Sequence, residues 1–560
     1  MKLLMKGLIL VIINNDRVSD LKAYEEKFEV DGFEFYLNGF IYIDGCSPGM
    51  ASLKKFAEML RVQSLREAIS RLKGNYFLYV VDQQAQRQFA FIDNSGMYES
   101  FYSSNHISTS FLDLVRYEHF TSNDLDKYAV VEFLNLGGTH FDRTILATVK
   151  KFTADDLMTF DNGVVTGLKK NRTHIEEASD YQNIIDYFEA FAPQLKDRNI
   201  SVDLTGGIDS RLIFTILDYF GLPFEASVTG EKEDTDIKIA ETVSRQTEHQ
   251  LYRTERPSSL DEPSIHEAFY YGDGLFDVLR LYSARQAHQD RLGRGIDLVI
   301  NGAGGELYKD FWWMQDFPFY RRKASNIKRL LDTRILPIQM PGEYLTEDYR
   351  QRHASFKNEL LEELMVYQSE INTETYDKIH YYFNLQNNAG RIITSANQYF
   401  DVYSPLLELE NIRMTHHLPK MTRFHNHFHR EVITKVNPSI AKIKTTEGGM
   451  TVSSKPHYQI RDNILYVADR GKRLSKKVGQ KVFKKTFFGE KYHRNHFFEH
   501  LRQLETVHHS IDVLKEEGIL HPDVVLENIP DASLGKLMSL GMIINYINKN
   551  ESFISYFNKR

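Results

Sequence analysis

A glycine-rich turn between a strand and a helix is the part of this sequence best suited to chemistry. Glycines let backbone N–H groups approach phosphate oxygens closely, and a helix N-terminus adds its partial positive charge. The Gly-Lys-Ser/Thr ending of a Walker loop is missing, so the turn does not indicate a kinase or GTPase. Asp209 is placed to hold Mg²⁺, and a plain strand–helix turn with an N-cap is the alternative. The stretch reads Ser201-Val202-Asp203-Leu204-Thr205-Gly206-Gly207-Ile208-Asp209-Ser210-Arg211.

A second glycine-rich turn follows about ninety residues later, directly after the apolar run Ile296 to Ile300. Two such turns at the carboxyl ends of parallel strands can face one nucleotide from two sides. The second turn reads Asn301-Gly302-Ala303-Gly304-Gly305-Glu306-Leu307.

The pair of turns resembles the PP-loop ATP-pyrophosphatase motifs of the asparagine synthetases, Ser-Gly-Gly-x-Asp-Ser and Gly-x-Gly-x-Asp-Glu-Leu. The segment from Ser404 to Glu408 is similar to the Arg-x-Pro-Phe-Leu-Asp segment of that family, and Arg391 falls where its Asp-Arg pair would lie. Residues 72–77 and 92–96 resemble segments of its glutaminase domain, and 141–145 and 161–163 resemble the segment that joins its two domains. The resemblance covers roughly residues 30 to 450 and depends on several motifs in the same order.

The resemblance implies an ATP-dependent ligase that activates a carboxylate as an acyl-adenylate, releases pyrophosphate and couples the acyl group to an amine. By position, Leu204, Val228, Asn301 and Gly302 would border the nucleotide. Asp209 and Glu306 would bind Mg²⁺, and a late lysine, Lys444 or else Lys442, would neutralise a transition state. The two lysines would share one face of an extended stretch. The pyrophosphate would be cradled by Thr205, Gly206, Gly207, Ile208, Asp209 and Ser210.

Three departures from the family pattern bear on activity. The family's glutaminase uses a cysteine after the initiator Met, where this sequence has Lys2, and Cys46 is internal. We therefore expect a degenerate glutaminase domain, as in the similar β-lactam synthetases and lasso-peptide cyclases. The Asp of the second motif is missing, either replaced by Gly305 or lost through a one-residue deletion, and Glu306 could substitute for it with its longer reach. Arg211 stands in place of a serine. Arg211 either adds a cation near phosphate or is an exposed first-turn residue.

Two other functions stay open. One is a catalytically inactive member of the family that binds nucleotide or a partner as a regulatory subunit. The other is a nucleic-acid-modifying PP-loop enzyme, which would need a broader basic face than the segment 470–494 offers. That segment, rich in Lys and Arg, predicts a surface helix, with an anionic surface or a partner as alternatives.

The N-terminal elements that must position these residues read as an α+β unit with antiparallel sheets. Asn38-Gly39 predicts a type I′ hairpin between strands at 33–37 and 40–43. A second hairpin pairs 76–81 with 88–92, and the apolar spacing over 52–72 predicts a helix.

From about residue 181, short apolar strands alternate with helical patterns, which predicts a parallel doubly wound sheet. After residue 320 the chain is predicted to be mostly helical. The fold class is therefore an α+β Ntn-hydrolase-like domain over 1–175, an α/β PP-loop synthetase domain over 176–454 and a helical extension over 455–560. The Ntn and PP-loop assignments come from the resemblance. The strands are predicted at 200–204, 224–228, 249–252 and 296–300.

Two side-chain clusters have plainer interpretations. The histidines 425, 427 and 429 could share a face for a metal only in an extended chain, since helix neighbours meet at spacings of three and four. The pair Trp312-Trp313 would wall an acceptor pocket or pack in the core, together with the nearby Phe311, Phe317, Phe319 and Tyr320.

Composition fits this picture. The 560 residues carry 69 basic and 76 acidic side chains, with 42% hydrophobic residues, which is typical of a globular protein with several domains. A single cysteine excludes intrachain disulfides and favours a reducing compartment, so we expect a cytoplasmic protein. The apolar run 7–13 predicts a buried strand in preference to a signal peptide, and no stretch is long enough for a transmembrane segment. The partners would be a carboxylate substrate and an amine acceptor, each a small molecule, sugar or peptide, and a homodimer is left open.

Overall fold

The computed structural model describes residues 12–14, 17–19, 26–161, 164–170, 174–256, 260–313, 325–468 and 497–549. The strands are β1 Ile12–Asn14, β2 Arg17–Ser19, β3 Glu26–Val30, β4 Phe33–Tyr42, β5 Lys73–Asp82, β6 Arg87–Ile92, β7 Phe101–Tyr102, β8 Ile107–Ser108, β9 Lys150–Lys151, β10 Asp156–Asp161, β11 Val164–Lys169, β12 Ile200–Asp203, β13 Glu225–Thr229, β14 Leu251–Thr254, β15 Leu298–Ile300 and β16 Asp401–Tyr403.

Eighteen α-helices have both ends within the described residues. They are α1 Met50–Val62, α2 Leu65–Ser70, α3 Phe111–Glu118, α4 Lys127–Leu136, α5 Ile184–Phe191, α6 Asp209–Tyr219, α7 Thr235–Gln246, α8 Glu262–Tyr271, α9 Val278–Gly293, α10 Ile327–Leu330, α11 Glu347–Met365, α12 Asn372–Lys378, α13 Gly390–Ala396, α14 Leu409–His417, α15 Lys420–Arg423, α16 His427–Val436, α17 Glu505–Glu516 and α18 Asp531–Lys549.

A six-stranded antiparallel sheet, in the order β11-β10-β6-β5-β4-β3, forms the N-terminal region. Its β4 continues through Asn38 and Gly39, so the predicted hairpin turn at these residues is wrong. The turn before β4 is Asp31-Gly32, whose φ angles of 50° and 81° are both positive, as in a type I′ turn. At Gly39, a β-carbon would overlap the carbonyl oxygen of Asn75. This glycine therefore allows β4 and β5 to approach each other.

The second predicted hairpin is confirmed, because β5 and β6 pair antiparallel across the turn at 83–86. The helix predicted over 52–72 is two helices, α1 and α2. The break is local: the Ser64 hydroxyl accepts the N–H of Glu67, and the Glu67 carboxylate accepts the N–H of Ser64. This capping box starts α2 anew, which the apolar spacing alone does not reveal.

A five-stranded parallel sheet, in the order β14-β13-β12-β15-β16, confirms the predicted alternation of strands and helices after residue 181. The chain first builds outward from β12 to β13 and β14, then returns to add β15 and β16 on the other side. The carboxyl ends of β12 and β15 therefore form the topological switch point, where such sheets bind ligands. The three-residue β16 lies in a region predicted to be helical, and it is too short to produce a strand pattern.

The C-terminal helices α17 and α18 pack against each other, and α18 also packs on α4 and α9. Buried apolar residues from Phe40 to Ile547 form one continuous cluster. The predicted domain limits at 175 and 454 stay a prediction. None of the helices within the described residues is both long and apolar enough to cross a membrane. Residues 7–11, the basic segment 470–494 and the aromatic residues at 317–320 lie outside the described residues.

Candidate functional site

The first glycine turn leads from the end of β12 to the start of α6. The N-cap of α6 is Ile208, and no described side chain caps this helix. Its first N–H groups therefore have no side-chain acceptor among the described residues, which suits them to an anion. Asp209 and Ser210 are the first two residues of the helix, as the sequence predicts.

Hydrogen bonds within the turn fix its shape. The backbone N–H of Thr205 donates to the Ser210 hydroxyl at 3.0 Å, and the N–H of Gly207 donates to the Thr205 hydroxyl at 3.1 Å. The N–H of Gly206 donates to a carboxylate oxygen of Asp236 on α7 at 2.9 Å. The turn is therefore held from inside and from the neighbouring helix.

The second glycine turn packs directly on the first. A β-carbon on Gly302 would lie 2.6 Å from the backbone nitrogen of Ser210, so only glycine allows this approach. Asn301 is fixed by its side-chain oxygen, which accepts the Ser404 hydroxyl at 2.7 Å. Leu204 and Val228 are buried at the carboxyl ends of β12 and β13. The structure thus brings together the residues predicted to border a nucleotide.

Asp209 is the electrostatic centre of the site. The ammonium of Lys309 donates to Oδ2 of Asp209 at 2.6 Å, and Nε2 of His429 lies 2.9 Å from Oδ1. Burial would raise the pKa of Asp209, but Lys309 and His429 outweigh it and lower the pKa to about 2. Burial lowers the pKa of His429, although the negative charge of Asp209 opposes this shift. Asp209 is therefore an anion with both oxygens in contact with nitrogen atoms.

The pKa values of Lys309 and Glu306, which lie beside Asp209, are also shifted. Burial would lower the pKa of Lys309, but Asp209 and nearby carboxylates raise it, so the side chain stays charged. Burial and the charge of Asp209 raise the pKa of Glu306, and no described residue donates to its buried Oε2. Lys309 thus joins the two turns, because it follows the second turn and binds a carboxylate of the first.

A resident divalent cation does not fit between Asp209 and Glu306 as they stand. Lys309 already binds Oδ2 of Asp209, His429 lies against Oδ1 without a hydrogen bond, and Gly305 supplies no side chain. The described part of the chain contains no group of three or more His, Cys, Asp or Glu side chains able to hold a metal ion. The magnesium site expected from the resemblance stays a prediction that this arrangement does not favour.

Arg211 is fully buried, so its interpretation as an exposed first-turn residue is wrong. Its guanidinium donates to the carbonyl oxygens of Ile443 at 2.7 Å and Lys444 at 2.9 Å. Two residues later, the N–H of Thr446 donates to the carbonyl oxygen of Gly206. Arg211 therefore fastens the segment 443–446 across the first turn.

The two predicted lysines differ in their backbone. Lys442 ends a 3₁₀ turn over Ile440–Lys442, so the expected extended stretch with both lysines on one face is wrong. Both side chains are exposed, but only the backbone of Lys444 is bound by Arg211. Lys444 is thus the one held beside the start of α6.

Other candidate residues lie in different surroundings. Arg391 is buried and donates to Glu99 and to the carbonyl oxygen of Leu275. The indole N–H of Trp313 donates to Asp377 in the core, which supports the core interpretation of the Trp312-Trp313 pair. The histidines 425, 427 and 429 follow a 3₁₀ turn into α16, so their chain is not extended. Cys46 is half-buried beside the cluster formed by the antiparallel sheet and α1.

Lys309 and His429 are the functional candidates that sequence reasoning misses. Lys309 lies in no motif of the resemblance, and its only signal is its position four residues after Gly305. His429 belongs to a histidine-rich stretch, but its contact with α6 depends on the packing of α16, which the local sequence does not encode.

Comparison of the chain with protein-family models and with curated proteins gave no match to either.

Proposed function

We propose that this protein is an ATP-dependent, AMP-forming amide ligase of the asparagine synthetase-like type. In this proposal the parallel sheet and its two glycine turns are a PP-loop synthetase domain. The antiparallel region is a degenerate Ntn-hydrolase-like domain that no longer hydrolyses glutamine.

One observation supports the proposal above the others: both glycine turns meet at the switch point of the parallel sheet, at the uncapped start of α6. The contact between Gly302 and the backbone of Ser210 brings the second turn against the phosphate side of the first. A nucleotide bound there would have its pyrophosphate end at the α6 N–H groups and its remainder between Leu204, Val228 and Asn301.

The reaction needs positioning more than a protein nucleophile. A carboxylate oxygen of the substrate would attack the α-phosphorus of ATP, and the bond from that phosphorus to the bridging oxygen would break, releasing pyrophosphate. An amine would then attack the acyl carbon and release AMP, with loss of one proton. The α6 N–H groups, Lys309 and Lys444 would stabilise the charge that develops on the phosphate oxygens.

The amine would come from ammonia or from the substrate itself. Cys46 is the only cysteine of the sequence, and as an internal residue it has no free α-amine to act as a base. The acyl substrate and the amine acceptor are carboxylate and amine groups of a small molecule, a sugar or a peptide.

A second candidate function, a nucleotide-binding subunit without catalysis, is favoured by a specific observation. Asp209, the residue that would hold Mg²⁺ in an active enzyme, is engaged by Lys309 and His429. The two candidates agree on nucleotide binding and differ on turnover.

The test is pyrophosphate exchange into ATP with a panel of carboxylates, followed by trapping of acyl-adenylate with hydroxylamine. We expect exchange with at least one carboxylate, and AMP with the hydroxamate as products by mass spectrometry. Asp209→Asn should abolish exchange while the melting temperature stays within a few degrees. ADP and phosphate as products would contradict the ligase proposal, and ATP binding without exchange on any carboxylate would favour the inactive subunit.

A further inference from the structure

We propose that the ammonium of Lys309 takes the place of a protein-bound divalent cation at this site, so that the chain binds nucleotide phosphates without a metal ligated by its own carboxylates. The inference rests on the proposed function and specifies the ligand as a metal-free diphosphate or triphosphate.

The position of Lys309 is the first argument. Its side chain is only 12% exposed, and its ammonium is hydrogen-bonded to Asp209 across the junction of the two glycine turns. One positive charge therefore stands beside the start of α6, held by a carboxylate of the first turn and attached to the second. An ammonium has three donors, so Lys309 can bind Asp209 and still donate to a phosphate oxygen.

The contacts of Asp209 are the second argument. A metal ion on Oδ2 of Asp209 would have to displace Lys309, which is hydrogen-bonded there. A third carboxylate ligand from residue 305 is excluded, because a β-carbon on Gly305 would overlap the Asp209 side chain. Gly305 and Lys309 are therefore two parts of one arrangement around Asp209.

The balance of charge is the third argument. Arg211 lies fully buried behind the turn, bound to carbonyl oxygens, and no described carboxylate is paired with it. With Lys309 it places two cations around the α6 N-terminus, opposite the carboxylates of Asp209 and Glu306. Lys309 and Arg211 thus supply, from the chain's own side chains, the cations that offset the carboxylates of this site.

The experiment measures ADP binding by calorimetry in EDTA and again in Mg²⁺, and Mn²⁺ binding without nucleotide by electron paramagnetic resonance. The wild-type protein should bind ADP with affinities that differ by less than about threefold between the two buffers, and should bind no Mn²⁺ at this site. Lys309→Met, which keeps an unbranched side chain one atom shorter but loses the charge, should weaken ADP binding in EDTA by about tenfold or more.

Lys309→Met should also gain a Mn²⁺ site that the double variant Asp209→Asn/Lys309→Met lacks. Lys309→Arg keeps the charge and should retain ADP binding in EDTA, which separates loss of charge from loss of fold. Lys54→Met, at an exposed lysine of α1, is the matched control and should behave as wild type.

ADP binding that appears only with Mg²⁺, or a wild-type Mn²⁺ signal that Asp209→Asn removes, would overturn this inference and leave the proposed function intact. Absence of ADP binding in both buffers would overturn both.

Discussion

Gly305 packs so closely against Asp209 that a β-carbon on residue 305 would overlap the Asp209 carboxylate. The glycine is therefore required by the position of Asp209 beside Lys309 and His429. The departure from the second motif, which the sequence shows only as a missing carboxylate, is a feature of how the two turns fit together.

We predict that Gly305→Ala destabilises the protein by about 1–3 kcal/mol, because the added methyl group must push Asp209 away from Lys309. The measurement is the urea midpoint of unfolding. Gly293→Ala is the matched control: Gly293 ends α9 with no atom near its β-position, so alanine should be neutral or slightly stabilising. Equal midpoints for Gly305→Ala and the wild type would show that Asp209 is free to move.

For Arg211, we predict that Arg211→Met loosens the segment 443–446. The variant keeps the apolar stem but removes the donors to the carbonyl oxygens of Ile443 and Lys444. Amide hydrogen exchange at 443–450 should become faster, whereas the melting temperature should change little, since the variant also removes a buried charge. Arg245→Met, at an exposed position of α7, is the control. Unchanged exchange at 443–450 would mean that Arg211 is not what fastens the segment.

We predict that Lys444 and Lys442 differ in their effect on the rate of pyrophosphate exchange. Lys444→Met should lower the rate of pyrophosphate exchange by about 100-fold, because it removes a charge held beside the phosphate site. Lys442→Met should leave the rate near wild type, since the 3₁₀ turn carries this residue and Arg211 does not bind its backbone. If the two substitutions act alike, the bound backbone of Lys444 has no catalytic consequence.

Much of the sheet architecture could be predicted from the sequence, because apolar strands and glycine turns produce strong local patterns. The strands β12, β13 and β15 and the helix α6 are the clearest cases, and their adjacency follows from the rules for parallel sheets. The Asn38-Gly39 prediction was wrong for the same local reason: the dipeptide is a turn signal, but Gly39 serves the approach of Asn75. Asp31-Gly32, directly before β4, is an equally strong turn signal, and it does form the turn.

The candidate site shows which contacts could not be predicted from the sequence. The turns themselves are local in sequence, so Asp209 and Gly302 could be found. Lys309 is 100 residues from its partner Asp209, and the Arg211 contact with Lys444 spans 233 residues. Such contacts depend on how α6, α16 and the second turn pack together, and no spacing rule within one segment encodes them.

Substitution of Cys46 should not affect the amine source. Cys46 is half-buried beside the apolar cluster under the antiparallel sheet, and we expect Cys46→Ser to leave amide formation unchanged. Product formed with amide-¹⁵N glutamine should carry no label, whereas ¹⁵N ammonium or the substrate's own amine should be incorporated. Label that reaches the product from glutamine and disappears in Cys46→Ser would restore a working glutaminase.

The buried Lys151 should make stability depend on pH in the alkaline range. Burial and the nearby Arg391 lower its pKa from 10.5 to about 7, although Glu99 lies 3.7 Å away and opposes the shift. Between pH 7 and 10.5 the unfolded chain therefore binds more protons at this lysine than the folded chain. The free energy of unfolding should rise with pH over that window, by at most about 1.4 kcal/mol per pH unit from this group.

Lys151→Met removes the titration, so the difference in urea midpoint between pH 7 and pH 9 should be smaller in the variant than in the wild type. Parallel pH profiles for the two proteins would show that Lys151 keeps its proton in the folded core, compensated by Glu99.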